Sequence, residues 1–83
     1  MSDIKQAVRE QVISEFMDGQ GDKLTDETRL VEEEIIDSLG IFLMLGFIKE
    51  RFGIEVDPED VTLENFASVN TIVDLINGKR DAA

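Results

Sequence analysis

Apolar residues recur at helical spacing near the start of the chain. Charged and amide side chains separate the apolar residues, which stand at every fourth position: Ile4, Val8, Val12 and Phe16. This spacing predicts an amphipathic helix from about Ser2 or Asp3 to Met17. The segment DGQGD, Asp18 to Asp22, follows with two glycines and predicts the end of that helix.

The middle of the chain contains an almost continuous apolar run, IFLMLGFI. It predicts a helix from Ser38 to about Phe52, with Asp37 or Ser38 as the cap and Gly53 at the end. A helix that is apolar on every face cannot be buried on all sides in so small a chain, so part of it should be exposed. The residues that we expect in the core follow helical spacing: Phe42, Leu45, Ile48 and Phe52. Those that we expect closer to the surface are Leu39, Leu43 and Phe47.

Two further helices are predicted in the last third of the chain. Asp57-Pro58-Glu59-Asp60 combines a cap, a proline at the first helical position and acids near the positive end of a helix dipole. This segment predicts a short helix that ends near Asn65. The last helix should run from Ser68 to Asn77, with Gly78 closing it, because its apolar residues share one face: Val69, Ile72, Val73 and Ile76.

A long connection, Lys23 to Asp37, joins the first helix to the second. Its apolar residues should attach it to the core: Leu24, Leu30, Val31, Ile35 and Ile36. No segment alternates convincingly with period two, so we expect an all-α fold with three main helices, one short helix and this long first connection. The length of 83 residues indicates a single domain, residues 1–83.

The composition excludes several kinds of chemistry. The sequence has no cysteine and no histidine, which removes the thiolate nucleophile, the commonest general base and the commonest zinc ligands. We therefore expect that the protein is not an enzyme. Asp18, Gln20 and Asp22 do not predict a calcium loop, because Lys23 and Arg29 stand where that loop needs a glycine and a glutamate. We expect no metal site.

The charge of the chain restricts its partners. The net charge is −11, from 19 acids and 8 bases, so the surface should repel nucleic acids and attract basic protein surfaces. The apolar run from Leu39 to Ile48 is about half as long as a membrane span. The first residues, MSDIKQAVREQ, lack the apolar centre of a signal peptide, which predicts a cytoplasmic protein.

The segment IIDSLGIFLMLGFIKERFGIEV resembles the modification segment of the acyl carrier protein family, whose hallmark is Asp-Ser-Leu at the start of the second helix. The resemblance extends to the helix lengths, the long first loop and the short third helix. It implies an acyl-carrier-like four-helix bundle. Since the chain has no neighbouring catalytic domain, we expect a free-standing carrier, and we expect it to be a monomer.

The resemblance further implies that Ser38 is esterified with 4'-phosphopantetheine. A separate phosphopantetheinyl transferase would supply this group from coenzyme A, and its thiol would carry acyl groups as thioesters. Asp37, Leu39 and Leu43 would then contact the enzymes that load, extend or unload the arm. The missing cysteine fits this function, because the reactive thiol comes with the cofactor.

Asp37 and Ser38 also have a purely structural interpretation, since such residues cap most helix starts. The two interpretations are compatible, because Asp37 could cap the helix and leave Ser38 free. Whether cargo is buried between the helices stays open at this point.

The segment differs from the fatty-acid-synthesis members of the family, which carry acids in the first turns of the second helix. Here there is no acid between Ser38 and Glu50. The protein could therefore serve a fatty-acid, polyketide or specialised lipid pathway, or act as an aminoacyl or peptidyl carrier of a nonribosomal-type pathway. A third possibility is an acidic helical interaction adaptor that is never modified.

Overall fold

The computed structural model describes residues 3–19, 21 and 24–82. These described residues form three α-helices: α1 (Asp3–Phe16), α2 (Ser38–Phe52) and α3 (Val69–Ala82). A 3-10 turn, Pro58–Asp60, lies between α2 and α3. No strand occurs within these described ranges, so the predicted all-α fold is confirmed. Ser2, Gln20, Asp22 and Lys23 lie outside the described residues, so the exclusion of a calcium loop stays a prediction.

The core is built from all three α-helices and from both connections. α1 packs against α3. The fully buried side chains of the core are Val8, Val12, Leu30, Ile36, Met44, Ile48, Phe66, Val69, Ile72 and Ile76. Leu30 and Ile36 come from the long first connection, which confirms that its apolar residues attach it to the core.

Hydrogen bonds hold the long connection against α1 and α3. The backbone N–H of Leu30 donates to the carbonyl oxygen of Ala67 over 2.8 Å, and that of Asn70 donates to the carbonyl oxygen of Asp26 over 3.0 Å. The Asp26 carboxylate also pairs with Lys5 at 3.2 Å and with Arg9 at 2.9 Å. The hydrogen bond from Lys5 is the largest cause that lowers the pKa of Asp26 below its ordinary value.

The buried face of α2 differs from the prediction. Ile41, Met44 and Ile48 point into the core, whereas Phe42 is 71% exposed, so its predicted core position is wrong. Ile48 is confirmed in the core, and Leu45 and Phe52 are half-buried. The apolar spacing alone could not choose a face, because every face of α2 is apolar.

Gly40 explains which face of α2 is buried. A Cβ atom at this position would lie 2.9 Å from side-chain atoms of both Ile36 and Phe16. The first turn of α2 therefore approaches the loop and α1 closely at Gly40. The buried side of α2 therefore contains Gly40, the adjacent Ile41 and, one turn later, Met44.

The predicted ends of the later helices also need correction. α3 does not stop at Asn77 but continues through Gly78 to Ala82. Lys79, in these extra turns, pairs with Asp60 and, at 2.9 Å, with Asp57, which ties the end of α3 to the 3-10 turn. The short helix predicted to end near Asn65 is only this 3-10 turn, followed by irregular turns.

Candidate functional site

At the start of α2, the neighbouring side chains of Asp37 and Ser38 have different hydrogen bonding. Asp37 has extended backbone angles, φ −105° and ψ −170°, and its Oδ1 accepts a hydrogen bond from the backbone N–H of Gly40 over 2.9 Å. This is the geometry of a helix N-cap, so Asp37 supplies the cap. Ser38 is the first helical residue, it is exposed, and its hydroxyl makes no hydrogen bond to any described residue. Capping therefore leaves the Ser38 hydroxyl free for other chemistry.

The backbone before Asp37 brings the loop sharply into α2. The N–H groups of Ile35 and Ile36 both donate to the carbonyl oxygen of Leu30, over 2.8 and 3.0 Å. Glu34 lies at φ +59°, in the left-handed region that non-glycine residues adopt rarely. This tight turn buries Ile36 and leaves Asp37 and Ser38 at the surface.

An open cleft of about 510 Å³ lies beside Ser38. The loop and α2 supply most of its walls, and Leu63 approaches from the segment before α3. Its lining residues are Val31, Glu34, Ile36, Asp37, Ser38, Ile41 and Leu63. Leu63 is 63% exposed and lies near Ser38, which the sequence pattern did not indicate.

The electrostatics around Ser38 have two opposing parts. The first backbone N–H groups of a helix lack helical acceptors and carry the positive end of its dipole, which favours an anion by about 0.3–1 kcal/mol at an exposed site. The exposed acids Glu32, Glu33, Glu34 and Asp37 oppose an anion at the same place. The site can therefore accept a covalently attached phosphate, but it does not form a strong pocket for a free one.

An exposed apolar patch lies next to Ser38 on α2. We define the α2 patch as Leu39, Phe42 and Leu43, which are 71%, 71% and 52% exposed. The exposure of Leu39 and Leu43 agrees with the sequence analysis, whereas Phe42 was missed. The glycine at position 40 was the available signal, because a close approach there turns Phe42 outward.

No family model matches the chain. Curated relatives do match, and the probable acyl carrier protein PigG of Serratia sp. (strain ATCC 39006) is 31% identical over 65 residues, which are 78% of this chain and 75% of that protein. The chain belongs to the acyl carrier protein family. The acyl carrier protein of Buchnera aphidicola is 41% identical over 54 residues, and that of Borreliella burgdorferi (strain ZS7) is 33% identical over 69 residues. These matches cover 65% and 83% of this chain, and 67% and 84% of the respective relatives.

A solved structure, described as the crystal structure of an FAD-dependent dehydrogenase, contains a chain with a similar fold. The TM-score is 0.74 with 31% sequence identity, and the match covers 81% of this carrier and 94% of that chain.

The family implies a 4'-phosphopantetheine group, and the residues at the start of α2 fit it. The attachment atom must be exposed and not engaged in the fold, as the hydroxyl of Ser38 is. The sequence has no cysteine, so a thioester on this chain would need a thiol from an attached group.

No helix within the described ranges is both long enough and apolar enough to cross a membrane.

Proposed function

We propose that Ser38 carries a 4'-phosphopantetheine arm that holds acyl intermediates as thioesters and delivers them to separate enzymes. The observation that carries this proposal is the division at the start of α2: Asp37 caps the helix, and Ser38 presents a free hydroxyl. Membership of the acyl carrier protein family supports it. Catalysis is left to the partner enzymes, which meet this carrier in the cytoplasm.

Attachment exchanges the phosphoanhydride of coenzyme A for a phosphodiester on Ser38, and the nucleotide half leaves with its own phosphate. The Oγ atom of Ser38 bonds to the phosphorus of the phosphopantetheine half of coenzyme A, and the bond from that phosphorus to the nucleotide half breaks. The hydroxyl proton goes to a base on the transferase, because no described side chain hydrogen-bonds to Ser38. The arm's thiol supplies the thioester chemistry, and this chain supplies an exposed attachment atom on a fixed helix end.

A loading experiment tests this proposal. The purified protein is incubated with coenzyme A and a promiscuous phosphopantetheinyl transferase, and its intact mass is measured. We expect the mass gain of one phosphopantetheine group, and no gain for Ser38→Ala, whose circular dichroism should match the wild type because Ser38 is not the cap. An unchanged wild-type mass, with the same transferase active on a control carrier, would falsify the attachment.

We further propose that enzymes dock on Asp37 and on the leucines of the α2 patch, Leu39 and Leu43. These side chains are exposed beside Ser38, and the net charge of −11 should speed the approach of basic surfaces. Chemical shift changes on adding the transferase provide the test. If Leu39 and Leu43 are unaffected while the protein is still loaded, they are not docking residues.

A flavin-dependent dehydrogenase is one candidate for the enzymes that act on the group carried by this protein. This carrier resembles a chain in a structure described as an FAD-dependent dehydrogenase, and the first turn of α2 has no acid. The lack of acid there fits an aminoacyl or peptidyl carrier, or a carrier of a specialised polyketide or lipid pathway, whereas the net charge of −11 favours the acyl type. The flavin-dependent dehydrogenase would remove a hydride and a proton from the tethered group and reduce its FAD. If loaded carrier leaves the flavin absorbance of that dehydrogenase unchanged for both acyl and aminoacyl cargo, this enzyme is not the client.

A further inference from the structure

One wall of the cleft beside Ser38 comes from a stretch of chain that has little contact with the core. Leu63 supplies this wall and is 63% exposed. It belongs to residues 57–65, which we call the 57–65 segment and in which no residue is buried. Val61 is half-buried against the core. Because few apolar contacts hold this segment, its position depends on polar contacts.

Hydrogen bonds fix the turn that contains Leu63 to Asp60. The carbonyl oxygen of Asp60 accepts from the backbone N–H of Thr62 over 3.0 Å and from the side-chain amide of Asn65 over 2.7 Å. The backbone N–H of Asn65 also donates to the Oγ1 atom of Thr62 over 3.1 Å. These bonds enclose Leu63 between Thr62 and Asn65. The position of Leu63 therefore follows the position of Asp60.

Lys79 holds Asp60 from the last turns of α3. Its Nζ atom pairs with the carboxylate of Asp60 and, over 2.9 Å, with that of Asp57. The side chains of Lys79 and Asp60 are 25% and 32% exposed, so water and salt screen their attraction less than that of a fully exposed pair. The hydrogen bond with Asp60 is the largest cause that raises the pKa of Lys79 above its ordinary value. Among the hydrogen bonds and ion pairs of the described residues, those of Lys79 join the 57–65 segment to a helix.

Lys49 offers a matched comparison, because it also joins a helix to the connection between α2 and α3. Its Nζ atom pairs with Glu55 over 3.0 Å, and the two side chains are 65% and 77% exposed. An ion pair this exposed contributes little, since solvent screens it. Glu55 also precedes the 57–65 segment. Loss of the Lys49 charge should therefore leave Leu63 in place.

We infer that Lys79 is a positioning residue for the Ser38 site: by holding Asp60, it fixes the turn that places Leu63 as a wall of the cleft beside Ser38. This wall limits the space next to the Ser38 hydroxyl, so the end of α3 influences which groups fit there. The consequence for loading rests on the proposed attachment at Ser38, whereas the position of the wall is a property of the unmodified protein.

A spin label at position 38 tests the position of the wall by nuclear magnetic resonance. Because the sequence has no cysteine, Ser38→Cys provides a single thiol for a nitroxide label. The label broadens amide signals steeply with proximity, so it should broaden those of Leu63 and of Ile41, which also lines the cleft. Adding Lys79→Met should remove the broadening at Leu63. Ile41 lies on α2 and should stay broadened, which makes it the internal reference.

Three further variants separate positioning from a general loss of structure. Lys79→Arg should keep the broadening at Leu63, because it keeps the charge, and Lys49→Met should keep it as well. Asp60→Asn should reproduce the loss, since it removes the carboxylate but leaves the carbonyl oxygen that Asn65 uses, and it decides the matter if Lys79→Met unfolds the protein.

Unchanged broadening at Leu63 in Lys79→Met and Asp60→Asn, an equal loss in Lys49→Met, or a loss that Lys79→Arg shares overturns the inference. The intact mass of the loaded wild type tests the attachment separately, so either result can fail while the other stands.

Discussion

At the scale of single residues, the start of α2 divides two tasks between neighbours that sequence patterns treat alike. Asp37 and Ser38 are both good capping residues, so the sequence predicted a cap without deciding which residue makes it. The structure assigns the cap to Asp37 through its hydrogen bond to Gly40. The free hydroxyl of Ser38 follows from this assignment, and it is the feature on which the proposed function depends.

The cap assignment predicts different stabilities for two substitutions. Asp37→Ala should lower the free energy of unfolding by about 1 kcal/mol, because it removes the acceptor for an N–H group at the start of α2. Ser38→Ala should change it by only a few tenths of a kcal/mol, since alanine is a better helix former and no hydrogen bond is lost. Urea unfolding of the unmodified protein measures both. Equal losses for the two variants would contradict the assignment of the cap.

At the scale of elements, the sequence predicted the positions of the helices better than their faces and ends. The start of α2 and its end before Gly53 were predicted as observed, because a cap and a left-handed glycine (φ +69°) are local signals. The predicted buried face of α2 was wrong at Phe42, because this face is set by the close approach at Gly40, which is a tertiary contact. Gly78 looked like a helix end, yet α3 continues through it, and the ion pairs of Lys79 hold these last turns.

Replacing three helical glycines by alanine should change the free energy of unfolding in different directions. Gly46→Ala and Gly78→Ala should each raise the free energy of unfolding by up to about 1 kcal/mol, because an added Cβ meets nothing within 4 Å and alanine is the better helix former. Gly40→Ala should lower it, because its Cβ would lie 2.9 Å from Ile36 and Phe16. Thermal unfolding of the three variants measures the order of their stabilities. A Gly40→Ala variant as stable as the other two would contradict the close approach that sets the face of α2.

At the scale of the whole molecule, a few ion pairs connect segments that are distant in the sequence. Asp26 joins the long first connection to Lys5 and Arg9 on α1, and Lys79 joins α3 to the 3-10 turn. The sequence could predict that the connection was attached to the core, since Leu30 and Ile36 are apolar. It could not predict the partners of Asp26, because ion pairs between distant segments leave no periodic pattern.

The pair at Asp26 predicts a pH dependence of stability. Because the folded pKa of this carboxyl lies below its ordinary value, its contribution is present above about pH 4 and is lost as the pH falls through the lowered folded pKa. The difference in unfolding free energy between wild type and Asp26→Asn should therefore be constant near neutral pH and shrink in acid. Glu27→Gln, at an exposed neighbour outside the ion pairs of the described residues, is the control. A difference that grows in acid would contradict the pairing.

The whole account depends on Ser38 as the attachment point of the arm, and the mass of the protein isolated from its own cells tests this most directly. The peptide that contains Asp37-Ser38-Leu39 should carry one 4'-phosphopantetheine group, with or without an acyl or aminoacyl group on its thiol, and fragmentation should place it on Ser38. The mass of any group on the thiol identifies the cargo. An unmodified peptide throughout the isolated protein, or a modification on another residue, would contradict the account.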